Sequence, residues 1–296
     1  MSDFEDKVAI VTGAGGGIGR SHALALAERG AKVVVNDLGG ALDGSGSGSA
    51  ADNVVEEIRA AGGTAIANKS SVADREGAKS IVEDAVNEFG TVDYVVNNAG
   101  ILRDKSFKNM TLDDFDLVMQ VHLTGTAYVT WHAWPIMYEK NFGRVVFTSS
   151  GSGIIGSFGQ ANYAAAKMGM VGLMNCLCRE GASHNVRVNC LSPGAETRMT
   201  ASVPGSTSDP DNPRPEGNPA LVSPAVLYMC SDDAPTGRII RAAGGRYSSN
   251  AVFSNEGVNL GTDATYEDLI ADIDKAMDLS EAKPPETRQR QRRQSS

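Results

Sequence analysis

Thr12-Gly-Ala-Gly-Gly-Gly-Ile-Gly19 is the stretch that decides how this chain folds. It follows the apolar run Val8–Val11 and opens the amphipathic stretch Arg20–Arg29, so it reads as the turn from a first strand into a helix. Gly13 can turn the chain sharply, Gly17 lets backbone approach a pyrophosphate beside Ile18, and Gly19 lets the helix pack close to a sheet. The helix N-terminus then offers free N–H groups and a partial positive charge to phosphates. A glycine cluster alone would look the same in any flexible turn, so its meaning depends on its surroundings.

Outward from this turn, short Val- and Ile-rich runs alternate with helical patterns. Strands are expected at Val33–Asn36, Thr64–Ala67, Tyr94–Asn97, Val145–Thr148, Val186–Leu191 and, with a weaker pattern, Arg238–Ala242. Between them lie Ala51–Ala61, Arg75–Phe89, Leu112–Tyr138 and Tyr163–Glu180, each with helical periodicity. Apolar strands separated by helices imply parallel β-α-β units with both sheet faces covered, hence one doubly wound α/β domain over residues 1–280. Three segments depart from the pattern. Gly39–Ser49 is a Gly/Ser loop, and Ala201–Pro224, with six of the eleven prolines, is either a substrate lid or a plain surface excursion. Residues 281–296, with Arg288, Arg290, Arg292 and Arg293 close together, are expected to form a disordered basic tail.

The second strand ends in Val35-Asn36-Asp37, eighteen residues beyond Gly19. A carboxylate at that place accepts hydrogen bonds from an adenosine ribose and repels a 2′-phosphate. The residues that follow, Leu38, Gly39 and Gly40, include no cation to receive that phosphate, so the expected cofactor is NAD rather than NADP. Ser71 and Val72 after the third strand can flank the adenine. Asn97-Asn98-Ala99-Gly100 after the fourth supplies a tight turn at the carboxyl edge of the sheet, where ligands gather, although Asn and Gly favour turns anyway.

Bulk properties narrow the class. The chain has 296 residues, 41% hydrophobic and 21% charged, which suits a globular protein, and its formal charge of -9 argues against a general nucleic-acid binder. No run approaches the roughly 20 apolar residues that span a bilayer. The stretch Met1–Lys7 lacks the basic and apolar regions of a signal peptide, and the end is not Ser-Lys-Leu, so the expected compartment is the cytoplasm. Cys176, Cys178, Cys190 and Cys230 show no metal-ligand spacing and read as buried thiols; no metal is expected.

The chemistry centres on Tyr163-Ala-Ala-Ala-Lys167, with Ser150 thirteen residues upstream. Residues four apart share a helix face, so Tyr163 and Lys167 can be neighbours, and in isolation they would be a surface pair. A nearby ammonium group favours a phenolate. A phenol tuned in this way can exchange the hydroxyl proton of an alcohol as hydride leaves carbon, and Ser150 can hold the substrate oxygen beside it.

TGAGGGIG, Asp37, NNAG, Ser150, Tyr163-x-x-x-Lys167 and Ser192-Pro193-Gly194, in this order, resemble the short-chain dehydrogenase/reductase family from Lys7 to about Tyr247. The resemblance implies a Rossmann-like domain with a mostly parallel, roughly seven-stranded sheet. It also implies Tyr163 as general acid/base, Lys167 on the nicotinamide ribose, Ser150 orienting the substrate, and Pro193 and Gly194 at the cofactor. His122, in Val121-His-Leu-Thr-Gly125, stands where many members carry a relay asparagine and is a candidate proton relay. A narrower resemblance, carried by NDLGG, AADNVVEEIRAAGG, NNAGILRDKSF, VHLTGT and GSFGQANYAAAKMG, is to the (3R)-hydroxyacyl-CoA dehydrogenase units of peroxisomal type-2 multifunctional β-oxidation enzymes. It implies an acyl-CoA substrate, with Arg103, Lys105 and Lys108 either meeting CoA phosphates or forming a solvated cluster. It further implies a homodimer or homotetramer formed through the long helices. Two alternatives stay open: a steroid, terpenoid or xenobiotic alcohol dehydrogenase, or a non-catalytic NAD-binding protein.

Overall fold

Strands whose apolar side chains point to both faces need cover on both faces, and the chain supplies it by alternating strand and helix. The computed structural model describes residues 4–202 and 205–284. In chain order these form β1 (Val8–Thr12), α1 (Gly17–Ala27), β2 (Lys32–Asn36), α2 (Ala50–Ala60), β3 (Thr64–Asn68), α3 (Arg75–Phe89), β4 (Tyr94–Asn97), α4 (Leu112–Met119) and α5 (Gly125–Glu139). There follow β5 (Gly143–Thr148), α6 (Gly151–Ile155), α7 (Ala161–Glu180), β6 (Val186–Gly194), α8 (Arg198–Ala201), α9 (Ser223–Cys230), β7 (Ile239–Ala243) and β8 (Arg246–Asn250).

The strands form one sheet in the order β3-β2-β1-β4-β5-β6-β7-β8. The pairs from β3 through to β7 are parallel, with Val11 opposite both Val35 and Val96. The expected seven strands are present; the eighth, β8, follows β7 after the two-residue turn Gly244-Gly245. Both glycines have positive φ (57° and 75°), which a tight hairpin turn demands and other residues resist. Chain order reverses between β1 and β4, which leaves a crevice at the carboxyl ends of the strands.

Two apolar layers flank the sheet. One gathers Val33, Val35 and Tyr94 with Leu26 of α1, Ile58 of α2 and Met229 of α9. The other gathers Ile10, Val34 and Phe147 with Ile81 of α3, Val129 of α5 and Met170 of α7. Val33, Val34 and Val35 are all fully buried because adjacent strand residues face opposite layers. Each contributes about 1.5–3 kcal/mol of apolar burial. Caps fix the helix ends: the Asp74 carboxylate accepts from the Gly77 N–H at 2.8 Å, and Gly90, at φ +84°, ends α3.

The expected helix over Leu112–Tyr138 is interrupted. Between α4 and α5, Gln120–Thr124 form a π-helical turn, and the Gln120 side chain donates to the Ala73 carbonyl at 2.7 Å. The extra residue in that turn places His122 in the interior, where it is fully buried. The cysteines also divide: Cys190 and Cys230 are buried, Cys178 is half-buried and Cys176 is exposed, because it lies on the outer face of α7.

The described residues divide between Ser249 and Asn250 into two compact units. Within the second, α10 (Tyr266–Ala271) starts at a capping box between Thr265 and Asp268, followed by α11 (Ile273–Met277). Asn255 there donates to the carbonyls of Ala276 and Asp278, and Ser254 bridges Lys283. Of the expected basic tail, residues 285–296 lie outside the described residues. Among the described residues no helix is long and apolar enough to cross a membrane.

Candidate active site

A cavity of about 500 Å³ opens at the carboxyl edge of the sheet. It brings together Gly13, Gly17, Ile18, Gly19, Asp37, Ser71, Val72, Asn98, Ala99, Gly100, His122, Tyr163, Lys167 and Pro193 from stretches far apart in sequence. A larger, more open concavity of about 1120 Å³ beside α1 and α2 contains none of the residues expected from sequence.

At the cofactor end, the glycines let backbone segments pack where side chains would collide. A Cβ on Gly13 would lie 2.7 Å from Ala99 Cα, and one on Gly19 only 2.1 Å from the Gly13 carbonyl oxygen. The turn is tied to the one after β4. Asn98 donates to the carbonyls of Thr12 and Gly13 at 3.1 and 3.0 Å, and Thr12 Oγ1 accepts from the N–H groups of Asn98 and Ala99. The Asp37 carboxylate accepts from Gly15 N at 2.8 Å and Gly39 N at 2.7 Å, which fixes it at the loop's rim. This bare-backbone cradle beside a fixed carboxylate fits a dinucleotide, with the pyrophosphate against the start of α1 and a ribose at Asp37.

At the reacting end, the Lys167 ammonium donates to the Thr148 carbonyl at 2.5 Å and lies 5.3 Å from the centre of the Tyr163 ring. Burial lowers Lys167 from its ordinary value to about 7. Burial also raises Tyr163, while the hydrogen bond from Ser150 opposes that shift and the nearby Asp104 charge adds to it. The shift of Tyr163 thus follows its burial, with Ser150 and Asp104 as the neighbouring groups that modify it. Ser150 caps α6, its Oγ accepting from Ser152 N at 3.1 Å, and sits against Tyr163. Gly194 takes no part in the cavity lining; a Cβ there would lie 2.8 Å from Ala243 Cβ, so its smallness serves strand pairing.

His122 meets Tyr163 edge to face, with ring centres 5.1 Å apart. Its Nε2 is 3.1 Å from Ile101 N and 2.8 Å from Ile101 O. Burial, reinforced by the Lys167 charge, holds His122 well below its usual range, so it is neutral. Gly100 exists for this ring: a Cβ there would lie 2.2 Å from His122 Cε1.

Two groups escaped the sequence reading. Asn162, fully buried, accepts from Tyr163 N at 2.7 Å and donates to the carbonyls of Arg103 and Asp114, both at 3.2 Å. It thereby clamps the start of the catalytic helix to the segment after β4. Asp114 pairs with Arg103 at 3.0 Å and Lys105 at 2.9 Å, which holds its carboxyl below the carboxylate range. Of the three cations considered for CoA phosphates, only Lys108 lacks a carboxylate partner among the described residues. Thr111-x-x-Asp114 was readable as a helix start, but the partners of Asp114 were not. The second group is Glu196, Thr197 and Arg198 just beyond β6, which also line the cavity. Buried Glu196 pairs with Arg214 and accepts from Arg214 N at 3.2 Å, anchoring part of the expected lid.

A parallel sheet with its reversal at a glycine-lined cradle, and a Ser-Tyr-Lys cluster beyond it, define a Rossmann-type oxidoreductase. The short chain dehydrogenase family model matches residues 7–207, and the chain belongs to that family. It is thus an oxidoreductase acting on CH–OH groups. It is 47% identical to a short-chain type dehydrogenase/reductase of Mycobacterium tuberculosis, covering 96% of this chain and 98% of that one. It is 51% identical to the peroxisomal multifunctional enzyme A of Dictyostelium discoideum over 86% of itself, yet spans only 57% of that protein. A hydroxyacyl-CoA dehydrogenase of Mycobacterium tuberculosis is 42% identical, over 70% of this chain and 67% of its own length. Among solved structures, the full-length peroxisomal multifunctional enzyme type 2 of Drosophila melanogaster superposes with a TM-score of 0.78 at 38% identity. That match covers 96% of this chain and 47% of that one.

Proposed function

We propose that this chain is an NAD-dependent dehydrogenase that oxidises a 3-hydroxyacyl-CoA to the 3-oxoacyl-CoA. The observation that carries the reading is the single cavity joining Asp37 and the glycine cradle to Tyr163 and Lys167. The glycine cradle, Asp37 and Lys167 would hold NAD, which would supply the acceptor for the hydride of the carbinol carbon. Ser150 donates a hydrogen bond to the substrate oxygen, and Tyr163, as phenolate, removes its proton. Lys167 holds the nicotinamide ribose, and the charge it carries when protonated favours that phenolate. Neutral His122, packed on the Tyr163 ring, serves as a proton relay. Asp37 selects NAD, since a 2′-phosphate beside a carboxylate would be repelled.

The acyl-CoA substrate is supported by the hydroxyacyl-CoA dehydrogenase and multifunctional relatives. NADH formation from both enantiomers of a 3-hydroxyacyl-CoA, run against a panel of steroid and terpenoid alcohols, tests it. Turnover of acyl-CoA is the expected result; turnover of the panel alone would replace the substrate class. Exposed Leu112 at the start of α4, Trp131 midway along α5 and Met168 on α7 suit a homodimer or homotetramer, which light scattering would measure. A cytoplasmic location accords with the sequence reading and is tested by fractionation.

A further inference from the structure

Arg198 lines the cavity and is the cation there besides Lys167. Its guanidinium reaches across to the glycine turn: a Cβ built on Gly16 would lie 3.9 Å from an Arg198 terminal nitrogen. Thr197, beside it, lies closer still to Gly17, at 3.4 Å from the equivalent Cβ position. Among the described residues no carboxylate pairs with Arg198, although the neighbouring cation Arg214 is held by Glu196. The place it occupies is already electropositive. The N–H groups of Gly17, Ile18 and Gly19 precede the first bond of α1, from Arg20 N to the Gly16 carbonyl at 3.1 Å. Gly16 brings no side-chain cap, and the first turn has no acidic residue. A cation facing the positive end of a helix is unfavourable unless an anion lies between them.

We propose that Arg198 binds the pyrophosphate of the dinucleotide from the side opposite α1, so that the phosphates are held between a guanidinium fork and the bare N–H groups of the glycine turn. This rests on the dinucleotide reading of the cavity. The planar fork can engage phosphoryl oxygens through two parallel hydrogen bonds, which a lysine cannot reproduce. Because Arg198 opens α8 directly after β6, the same contact would join the cofactor to the segment that leads into the expected lid.

The test is a set of binding titrations, without turnover, on wild type, Arg198→Ala and Arg198→Lys, using NADH, NADPH, ADP-ribose and adenosine. Loss of a charged hydrogen-bonding group should weaken NADH and ADP-ribose by roughly 10- to 100-fold in Arg198→Ala. Arg198→Lys should fall between, and adenosine, which lacks the pyrophosphate, should bind all three alike. Unchanged ADP-ribose binding in Arg198→Ala would overturn the proposal while leaving the dinucleotide reading intact. A loss confined to NADPH would overturn it by moving the contact to a 2′-phosphate. An equal loss for adenosine would overturn it as damage to the pocket. Failure of wild type to bind NADH or ADP-ribose would remove the dinucleotide reading as well.

Discussion

At the scale of single residues, the two groups at the reacting centre are tuned in opposite senses by burial. Tyr163 is raised and Lys167 is lowered to about 7. Tyr163→Phe removes the proton acceptor and keeps the ring's packing, so turnover should fall by roughly 10²–10⁴-fold while NADH titrations stay near wild type. Full activity in that variant would refute the assigned mechanism. Lys167 also carries a stability signature. Below pH 7 folded and unfolded chains both protonate it, and folding bears the whole cost of burying the charge. Between pH 7 and its ordinary value of 10.5 the unfolded chain holds a proton that the folded chain has released, so stability rises with pH. Lys167→Met lacks that titration. Its thermal midpoint relative to wild type should therefore be most favourable near about pH 6 and decline steadily as pH climbs to about 10, as read by calorimetry.

Among elements, the turn after β4 and the π-helical turn between α4 and α5 depend on each other. Gly100 leaves the space that the His122 ring fills, and the Ile101 backbone meets the ring's Nε2. Gly100→Ala overpacks this junction and should cost about 1–3 kcal/mol in urea unfolding. In a His122→Ala background the same substitution should cost much less, because the clashing atoms are gone, and a double-mutant cycle measures the difference. Asn162 acts between elements too, tying α7 to Arg103 and Asp114. Asn162→Ala leaves buried carbonyls without their donor, with an expected loss of about 1–3 kcal/mol. The sequence could not reveal either junction, since both pair groups from separate helices and loops; Gly100 in particular reads from sequence as an ordinary turn glycine.

For the whole molecule, ligand linkage reports the cofactor choice. A ligand bound only by the folded chain stabilises it by about 2.7 kcal/mol at 100 times its Kd. NADH should therefore raise the thermal midpoint, NADPH at equal concentration should raise it less, and Asp37→Ala should narrow the gap. Equal shifts by both in wild type would remove Asp37 as the selector.

Sequence alone determined the alternation of strands and helices, the glycine turn, Asp37 and the Tyr163-Lys167 spacing. Each of these is a local property, readable from periodicity or from residues close together in the chain. The sheet's reversal between β1 and β4, the interruption at His122, the Asn162 clamp, the depressed Lys167 and the approach of Arg198 to the glycine turn were decided only by tertiary structure. They arise where segments distant in sequence exclude water from one another, and desolvation and long-range hydrogen bonds leave no periodic mark on the chain.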